Sequence, residues 1–480
     1  MTSGGSRIDA RWLALIVLCA GMLMIVLDQT IVNVALPAIE EDLRFGQAGL
    51  AWVVNAYLIA YGGLLLLAGR LGDLIGHRKV FLLGLGVFTV ASLLCGLSVS
   101  AEMLIVARFV QGAGGALATS VTLGMVVTMF PEKNEQRRAI GVFSFVAAAG
   151  ASLGLLLGGV LTDAMSWHWI FFVNIPIGIV AAIAALRLVP DSAGLGLREG
   201  ADVLGASLVV AAVMLGVYTI VKAEQYGFGS AHTLVLGAVA VALLAAFVVR
   251  QRTAAKPLLP LRVFRSRNVA GANLVQMAMV AGMFGLFFLG TLYMQLVLQY
   301  TPLQIGLAFM PVAGAIAVFS VSLSARLNAR FGERTMLIVG LLFLLTGMVL
   351  FTQVPVDGSY VEHVLPAVAP VGIGLGLSFP ALMTLAMSGA AHGEEGIASG
   401  LVNTTAQVGG ALGLAVLATT STSRTSSLLA AGVARPEALT AGFHLAFWIS
   451  AALVTVALGL AVFVLRQVAV DREAQPVLVH

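Results

Sequence analysis

Two charged residues lie inside apolar runs, where charge is costly. Asp28 sits in LDQTIVNVALP (27–37), near the end of the first long run. That run opens at Trp12. At about 1.5 Å per helical residue, Asp28 is about 24 Å along it, within a hydrocarbon core about 30 Å thick. Arg108 is in the fourth run, about 9 Å from the end marked by Glu102. An embedded charge costs several kcal/mol unless it is paired, protonated or facing water, so a chain that keeps one generally uses it. The chemistry open to such groups is proton exchange. Desolvation favours the neutral acid, and a nearby cation favours the carboxylate. A group held between the two can bind and release a proton. Spacing leaves contact between Asp28 and Arg108 open. A static ion pair, or an Asp28 held by neighbouring amides, is the other reading of the same residues.

Other polar groups sit at helical spacing. Gln29 and Asn33 share a face beside Asp28, and Gln111 is one turn from Arg108. Asn55, Asn174, Asn273, Gln276, Tyr293, Gln295, Asn403 and Gln407 are candidates to line a cavity or to tie helices together. Gly150, Gly154 and Gly158, followed by Gly159, form a smooth stripe for close helix packing, and QGAGGALA (111–118) is a similar run. The stretch GRLGDLIGHRK (69–79) joins glycines for a tight turn with charges that pair or cap: Gly69, Arg70, Gly72, Asp73, Gly76, Arg78 and Lys79. No second embedded carboxylate is expected. No Lys precedes Ser or Thr, so there is no GxxxxGK[ST] phosphate loop, and HExxH and His–Cys clusters are absent. No metal, cofactor or catalytic nucleophile is expected. Cys19 and Cys95 lie in apolar runs and form no CxxC pair.

The elements that must carry these groups are membrane helices. The 480 residues are 60% hydrophobic and 10% charged, with a mean hydropathy of +1.02. Soluble domains carry about 25% charged residues. The apolar runs are too long and too uniform for barrel strands. Fourteen helices are predicted, at about 12–36, 50–69, 79–98, 102–129, 139–161, 168–189, 203–222, 231–250, 268–297, 304–325, 335–354, 363–388, 396–420 and 443–466. Of the 26 Lys and Arg, 21 fall in the two tails and alternate connections, and four (Arg44, Lys222, Arg424, Arg435) in the others. That bias places both termini in the cytoplasm and Asp28 and Arg108 in the outer half of the bilayer. It also accounts for the net charge of +4 without a nucleic-acid partner. The first run is too long for a signal peptide and is expected to stay as the first helix.

An internal repeat divides the chain. ARLNARFGERTM (325–336) aligns with GRLGDLIGHRKV (69–80), matching Arg326, Leu327, Gly332 and Arg334 to Arg70, Leu71, Gly76 and Arg78, with Ala329 at the place of Asp73. The expected plan is a six-helix half over 1–190, two inserted helices and a cytoplasmic linker over 191–267, a second half over 268–466 and a tail over 467–480, with the substrate site between the halves.

These stretches resemble the fourteen-helix drug:proton antiporters of the major facilitator superfamily. LDQTIVNVALP is similar to their helix 1 signature, GRLGDLIGHRK to the superfamily's loop motif and RFVQGAGGA (108–116) to the helix 4 motif. WHWIFFVNIPIG (167–178) and GLVNTTAQVGGALG (400–413) are also similar to that family. The resemblance covers about 27–470. It implies Asp28 as proton site with Arg108 as coupling partner, the 69–79 stretch as a gating latch, and Gly150, Gly154, Gly158 and Gly159 as the antiporter glycine motif. It implies a substrate site drawn from Asp28, Asn33, Asn55, Gln111, Asn174, Gln276, Tyr293, Asn403 and Gln407. Leu155 stands where that motif usually has Pro, His168 where Arg is frequent, and Ala406 where a basic residue is frequent. The implied function is proton-driven export of small hydrophobic drugs or antibiotics by a multi-pass protein of the cytoplasmic membrane, with protons and the bilayer as its other partners. Nothing requires more than a monomer. A uniporter or importer of one metabolite, or a non-transporting membrane sensor, are the rival readings.

Overall fold

The computed structural model describes residues 10–191, 194, 196, 202–227, 229–255, 257–259, 261–388 and 395–467. Arg7, most of the 192–201 stretch and the expected tail from 468 onward lie outside the described residues. The described elements are helical, and no strand occurs among them. A first group comprises α1 (Ala10–Leu43), α2 (Gln47–Ile75), α3 (His77–Gly96), α4 (Ala101–Met129), α5 (Lys133–Ala164) and α6 (Trp169–Leu188). Two helices follow, α7 (Val203–Tyr226) and α8 (Ala231–Thr253). The last group begins with α9 (Arg267–Leu296) and α10, built from Pro302–Ala308, Met310–Ile316, a π-helical stretch Ala317–Leu323 and Ser324–Phe331. It continues with α11 (Glu333–Phe351), α12 (Leu365–Met387, entered through a π turn Tyr360–Val364), α13 (Glu395–Ala430) and α14 (Arg435–Phe463).

Twelve described segments are long and apolar enough to cross a membrane, or thirteen with the bent α2 counted as one span. In α5 the apolar described stretch is Leu153–Ala164. Large apolar side chains such as Val90, Ile183, Val241 and Val456 are exposed on the outside of the bundle, as lipid-facing surfaces require. Inside, α1 to α6 pack on one another, as do α9 to α14, and the two groups meet along α2–α13 and α5–α10. The α7 helix touches both α2 and α13, so it straddles that seam.

Local chemistry sets the helix ends. Ser100 begins α4 by accepting the Met103 N–H, and Thr301 begins α10 in a reciprocal capping box with Gln304, with Pro302 at the first turn. The expected tight turns fall on Gly76 (φ 102°) and Gly332 (φ 82°). Each ends one helix and starts the next, a backbone conformation that only glycine adopts without strain. Gly76 N–H donates to Gly72 O at 2.9 Å and Gly332 N–H to Asn328 O at 2.8 Å, so the aligned repeats share one turn geometry.

Several expected boundaries move. The first helix runs on from 36 to Leu43 with Pro37 inside it, because buried Leu36 and Ile39 continue its packed face across the proline. The expected 69–79 loop is helical up to Ile75, and only Gly76 separates α2 from α3. The α13 and α14 helices extend to Ala430 and back to Arg435, leaving a four-residue turn.

The inserted pair is clasped at one end. Asp202, with a side chain 1% exposed, accepts from Gly205 N–H at 3.0 Å, Arg250 Nε at 2.9 Å and Gln251 Nε2 at 3.0 Å. Gln251 Oε1 in turn accepts the Leu259 N–H at 3.0 Å, fixing the start of the connection toward α9.

Candidate functional site

Asp28 and Arg108 meet. Arg108 Nη1 donates to Asp28 Oδ2 at 2.5 Å, and both side chains have no solvent exposure. The approach depends on the glycines of α4. A Cβ at Gly112 would lie 3.0 Å from the Tyr57 carbonyl carbon of α2, and one at Gly114 would lie 2.9 Å from Phe88 Cα of α3. Side chains there would push α4 outward and carry Arg108 away from α1.

The pair is embedded in a hydrogen-bonded shell from five helices. Asp28 Oδ1 accepts from Gln111 Nε2 at 2.7 Å and from Asn174 Nδ2 of α6 at 2.9 Å. Gln111 Oε1 accepts from Arg108 Nη1 at 2.7 Å, and its Nε2 also donates to Ser92 Oγ of α3 at 2.8 Å. Cys95 Sγ contacts Gln111 Oε1 at 3.6 Å. Arg108 Nε donates to the Val53 carbonyl of α2 at 3.0 Å. Arg108 Nη2 finds no hydrogen-bond acceptor among the described residues, and the guanidinium instead lies over the Tyr57 ring at 4.4 Å and near Phe171 at 5.7 Å. Cation–π attraction is strongest when water is excluded, as here.

This arrangement holds the carboxylate with three N–H donors from two helices, two of them amides and the third the guanidinium. A proton added to Asp28 would remove the counterion of a buried Arg108, and the shell would have to rearrange across α1, α2, α4 and α6. Asn33 is also buried on α1 but stands outside the shell. Of the residues expected to line a substrate site, the shell gathers Asp28, Gln111 and Asn174.

The others are dispersed. Asn55 is buried on α2 with both side-chain polar atoms unpartnered among the described residues, and Gln276 Oε1 on α9 and Gln407 Oε1 on α13 are in the same condition. Gln407 sits at the seam with α2, where a Cβ on Gly62 would meet its Cβ at 2.6 Å. Asn273 Oδ1 accepts from Thr405 Oγ1 at 2.9 Å, joining α9 to α13. Tyr293 donates its hydroxyl to Pro355 O at 2.6 Å, tying α9 to the turn after α11. Asn403 is exposed on α13.

The glycine stripe of α5 serves two surfaces. A Cβ on Gly150 would meet Val26 at 3.1 Å, on Gly154 the Leu27 carbonyl oxygen at 2.8 Å and on Gly158 the Ile31 carbonyl oxygen at 2.6 Å, all on α1. Gly159 instead faces α10, where its Cβ would lie 2.9 Å from Leu303 Cα. Leu155 adds its carbonyl oxygen to that seam, 2.8 Å from a Cβ on Gly306. In the 69–79 stretch, Asp73 lies 3.9 Å from Arg70 Nη1 and 3.6 Å from His77 Nε2, while Arg78 Nη2 donates to Leu186 O of α6 at 2.8 Å.

Sequence reasoning missed Ser92, Tyr57, Phe171 and Cys95, because an isolated hydroxyl, ring or thiol in an apolar run carries no spacing signal. It also missed Glu40. Extension of α1 past Pro37 brings Glu40 to the wall of a small, partly open cavity between the two helix groups. A second carboxylate thus belongs to the helix that carries Asp28.

Residues 18–414 match the family model of the Major Facilitator Superfamily. The chain is 38% identical over 435 residues to a puromycin resistance protein of Streptomyces alboniger, covering 90% of this chain and 86% of that protein. It is 38% identical to a cephamycin export protein of Amycolatopsis lactamdurans, covering 88% of each. A tetracenomycin C resistance and export protein of Streptomyces glaucescens is 34% identical, covering 86% of this chain and 76% of that one. Among solved structures, an auto-inhibited POT family peptide transporter superposes with a TM-score of 0.66 at 17% identity, covering 96% of this chain and 99% of the other. An inward-facing bacterial homolog of the human lysosomal transporter Spinster gives 0.65 at 15% identity, covering 95% and 97%. These two likenesses bear on the fold.

Proposed function

The chain belongs to the Major Facilitator Superfamily, as a transporter of the cell membrane rather than an enzyme, and we propose that it exports small hydrophobic drugs or antibiotics in exchange for protons. The observation that carries the reading is the fully buried Asp28–Arg108 pair within its amide shell. A buried ion pair contributes little net stability against apolar residues of similar volume, so stability alone is a weak reason to keep one. The names of the similar proteins, which print resistance to or export of puromycin, cephamycin and tetracenomycin C, support the cargo class.

In this mechanism Asp28 takes a proton from outside as substrate leaves. Protonation removes the counterion of Arg108, and the guanidinium then turns to Gln111, the Val53 carbonyl and Tyr57, which are already in contact with it. The relaxed shell lets the two halves, 1–190 and 268–466, rock to face the cytoplasm. Substrate binding there favours proton release, and the proton gradient biases the cycle outward. Gln407, whose Cβ packs against Gly62 across the α2–α13 seam and whose Oε1 has no partner among the described residues, supports a substrate path there. Gly154 and Gly158 hold α5 tightly to α1 while Gly159 lets it meet α10, and Arg70, Asp73, His77 and Arg78 form the cytoplasmic latch.

The chain crosses the membrane fourteen times, with both termini cytoplasmic and α7 and α8 inserted between the halves, and it works as a monomer. Single cysteines at Gly432 and Ala255, in a background lacking Cys19 and Cys95, test the topology. A membrane-impermeant thiol reagent should label whole cells at 432 and only opened cells at 255, and the reverse pattern refutes it. Export should stop when an uncoupler collapses the proton gradient in energised inverted vesicles. Export that survives the uncoupler, with no other energy source present, refutes proton coupling.

A further inference from the structure

The entry to α6 builds a ladder outward from the buried pair. Asn174, Phe171 and Trp167 recur at spacings of three and four, which puts them on one face. Asn174 donates its amide to Asp28 Oδ1 at 2.9 Å. Phe171 sets its ring 5.7 Å from the Arg108 guanidinium carbon. Trp167 meets the Phe171 ring edge-on at 6.2 Å and donates its indole N–H to Asp42 Oδ2 at 2.9 Å. Asp28 and Asp42 both belong to α1, so α1 and the α6 entry are joined by two rungs, one at the pair and one at the rim.

The two rungs differ in exposure. Asp28, Arg108 and Phe171 have no solvent exposure, Trp167 is buried, and Asp42 is exposed. Phe172 presses on Gly96 of α3, where a Cβ would not fit, and His168 stacks on the indole at 3.8 Å. Along this face aromatic rings therefore stand between the pair and the rim. An indole has one donor and no acceptor, so Trp167 is held in place by a single directed bond. Water can replace that bond at an exposed carboxylate with little loss. The inner rung is shut from water and holds a buried charge, so it is the costlier one to break.

We propose that Trp167 is a positioning residue for the Asp28–Arg108 pair, and that its bond to Asp42 is the catch on the outer water path to that pair. While the catch holds, Trp167 keeps Phe171 over the guanidinium and the shell stays dry. When it breaks, the indole swings off Phe171 and water reaches Arg108 and Asp28 from the rim. That this water delivers the coupling proton rests on the export reading, in whose topology the 165–168 turn faces outside. The control of water access stands without that reading.

The shell carries its own reporter, because Cys95 Sγ lies 3.6 Å from Gln111 Oε1. The test uses the full-length protein with Cys19→Ser, which leaves Cys95 as its one thiol. Membrane-impermeant 2-sulfonatoethyl methanethiosulfonate is added to right-side-out or inverted vesicles, and the adduct at Cys95 is timed by mass spectrometry. Trp167→Phe keeps a ring but loses the N–H, and Asp42→Leu loses the acceptor. Each should speed labelling from the outer side roughly tenfold, the effect of losing one hydrogen bond to a carboxylate. Asp42→Asn keeps an oxygen acceptor and should label close to the wild-type rate. The double variant Trp167→Phe/Asp42→Leu should label no faster than either single variant, since both remove the same bond. From the inner side all variants should match wild type. Unchanged outer labelling in Trp167→Phe or Asp42→Leu, an Asp42→Asn rate equal to that of Asp42→Leu, a double variant faster than both singles, or an equal rise from both sides would overturn the proposal. None of these readouts needs transport, so failure of the export reading would show separately, as absent proton movement with the labelling pattern intact.

Discussion

Removing one member of the buried pair should cost far more than half the cost of removing both. In Arg108→Met, the Asp28 carboxylate keeps only the Gln111 and Asn174 amides, with no solvent contact. In Asp28→Asn, the guanidinium keeps the Val53 carbonyl, Gln111 Oε1 and the Tyr57 ring but loses its counterion. Each single change leaves an uncompensated buried charge, which costs about 3–5 kcal/mol. The double variant Asp28→Asn/Arg108→Met has no buried charge and replaces the guanidinium with an apolar chain of similar length. It should cost no more than either single change, so the interaction energy should be at least about 2 kcal/mol. The assay is reversible unfolding of the four proteins in mixed micelles, titrated with a denaturing detergent. Additivity within about 0.5 kcal/mol would refute the claim that these residues act as one charge-compensated unit.

Two further outcomes follow from the packing and the clasp. Gly158→Val would drive a side chain into the Ile31 carbonyl, 2.6 Å from the Cβ position, and should destabilise by about 1–3 kcal/mol, whereas Gly86→Ala meets nothing within 4 Å and should be harmless or mildly stabilising. Thermal melting of the two variants in detergent checks the contrast, and equal behaviour contradicts it. At Asp202, burial works to raise the carboxyl pKa, but hydrogen bonds from Arg250, Gly205 and Gln251, with the Arg250 charge, outweigh it and hold the value below the usual range. A carboxyl lowered on folding contributes stability above the unfolded value of about 3.9 and loses it as pH falls through the folded value. The melting-temperature gap between wild type and Asp202→Asn should therefore be constant from about pH 5 to pH 8 and shrink below about pH 4. A gap that widens on acidification would contradict the clasp.

Much of the architecture was legible in the sequence, because membrane helices announce themselves by uninterrupted apolar length and the repeat by its aligned glycines. Gly76 and Gly332 make the same turn, as the alignment of 69–80 with 325–336 implied. Asp28, Arg108 and Gln111 stood out because polar groups inside apolar runs are rare, and the structure brings all three together with Asn174. The rest was not readable for physical reasons. Ser92 and Tyr57 act through tertiary contacts that leave no periodic trace. Pro37 reads locally as a helix stop, yet the packing of Ile39 carries α1 through it, and so Glu40 passed for a loop charge. Tyr293 and Asn403 look like Gln276 in one dimension, but one is committed to Pro355 and the other faces outward.

The central claim is that Asp28 carries the coupled proton, and proton movement by purified protein in proteoliposomes tests it most directly. Wild type and Asp28→Asn would be challenged with a panel of lipophilic cations and neutral antibiotics while internal pH is recorded. Compound-dependent proton movement in wild type that vanishes in Asp28→Asn is the predicted result. Full-rate coupled movement in the variant, or substrate flux without proton movement in wild type, would contradict the account.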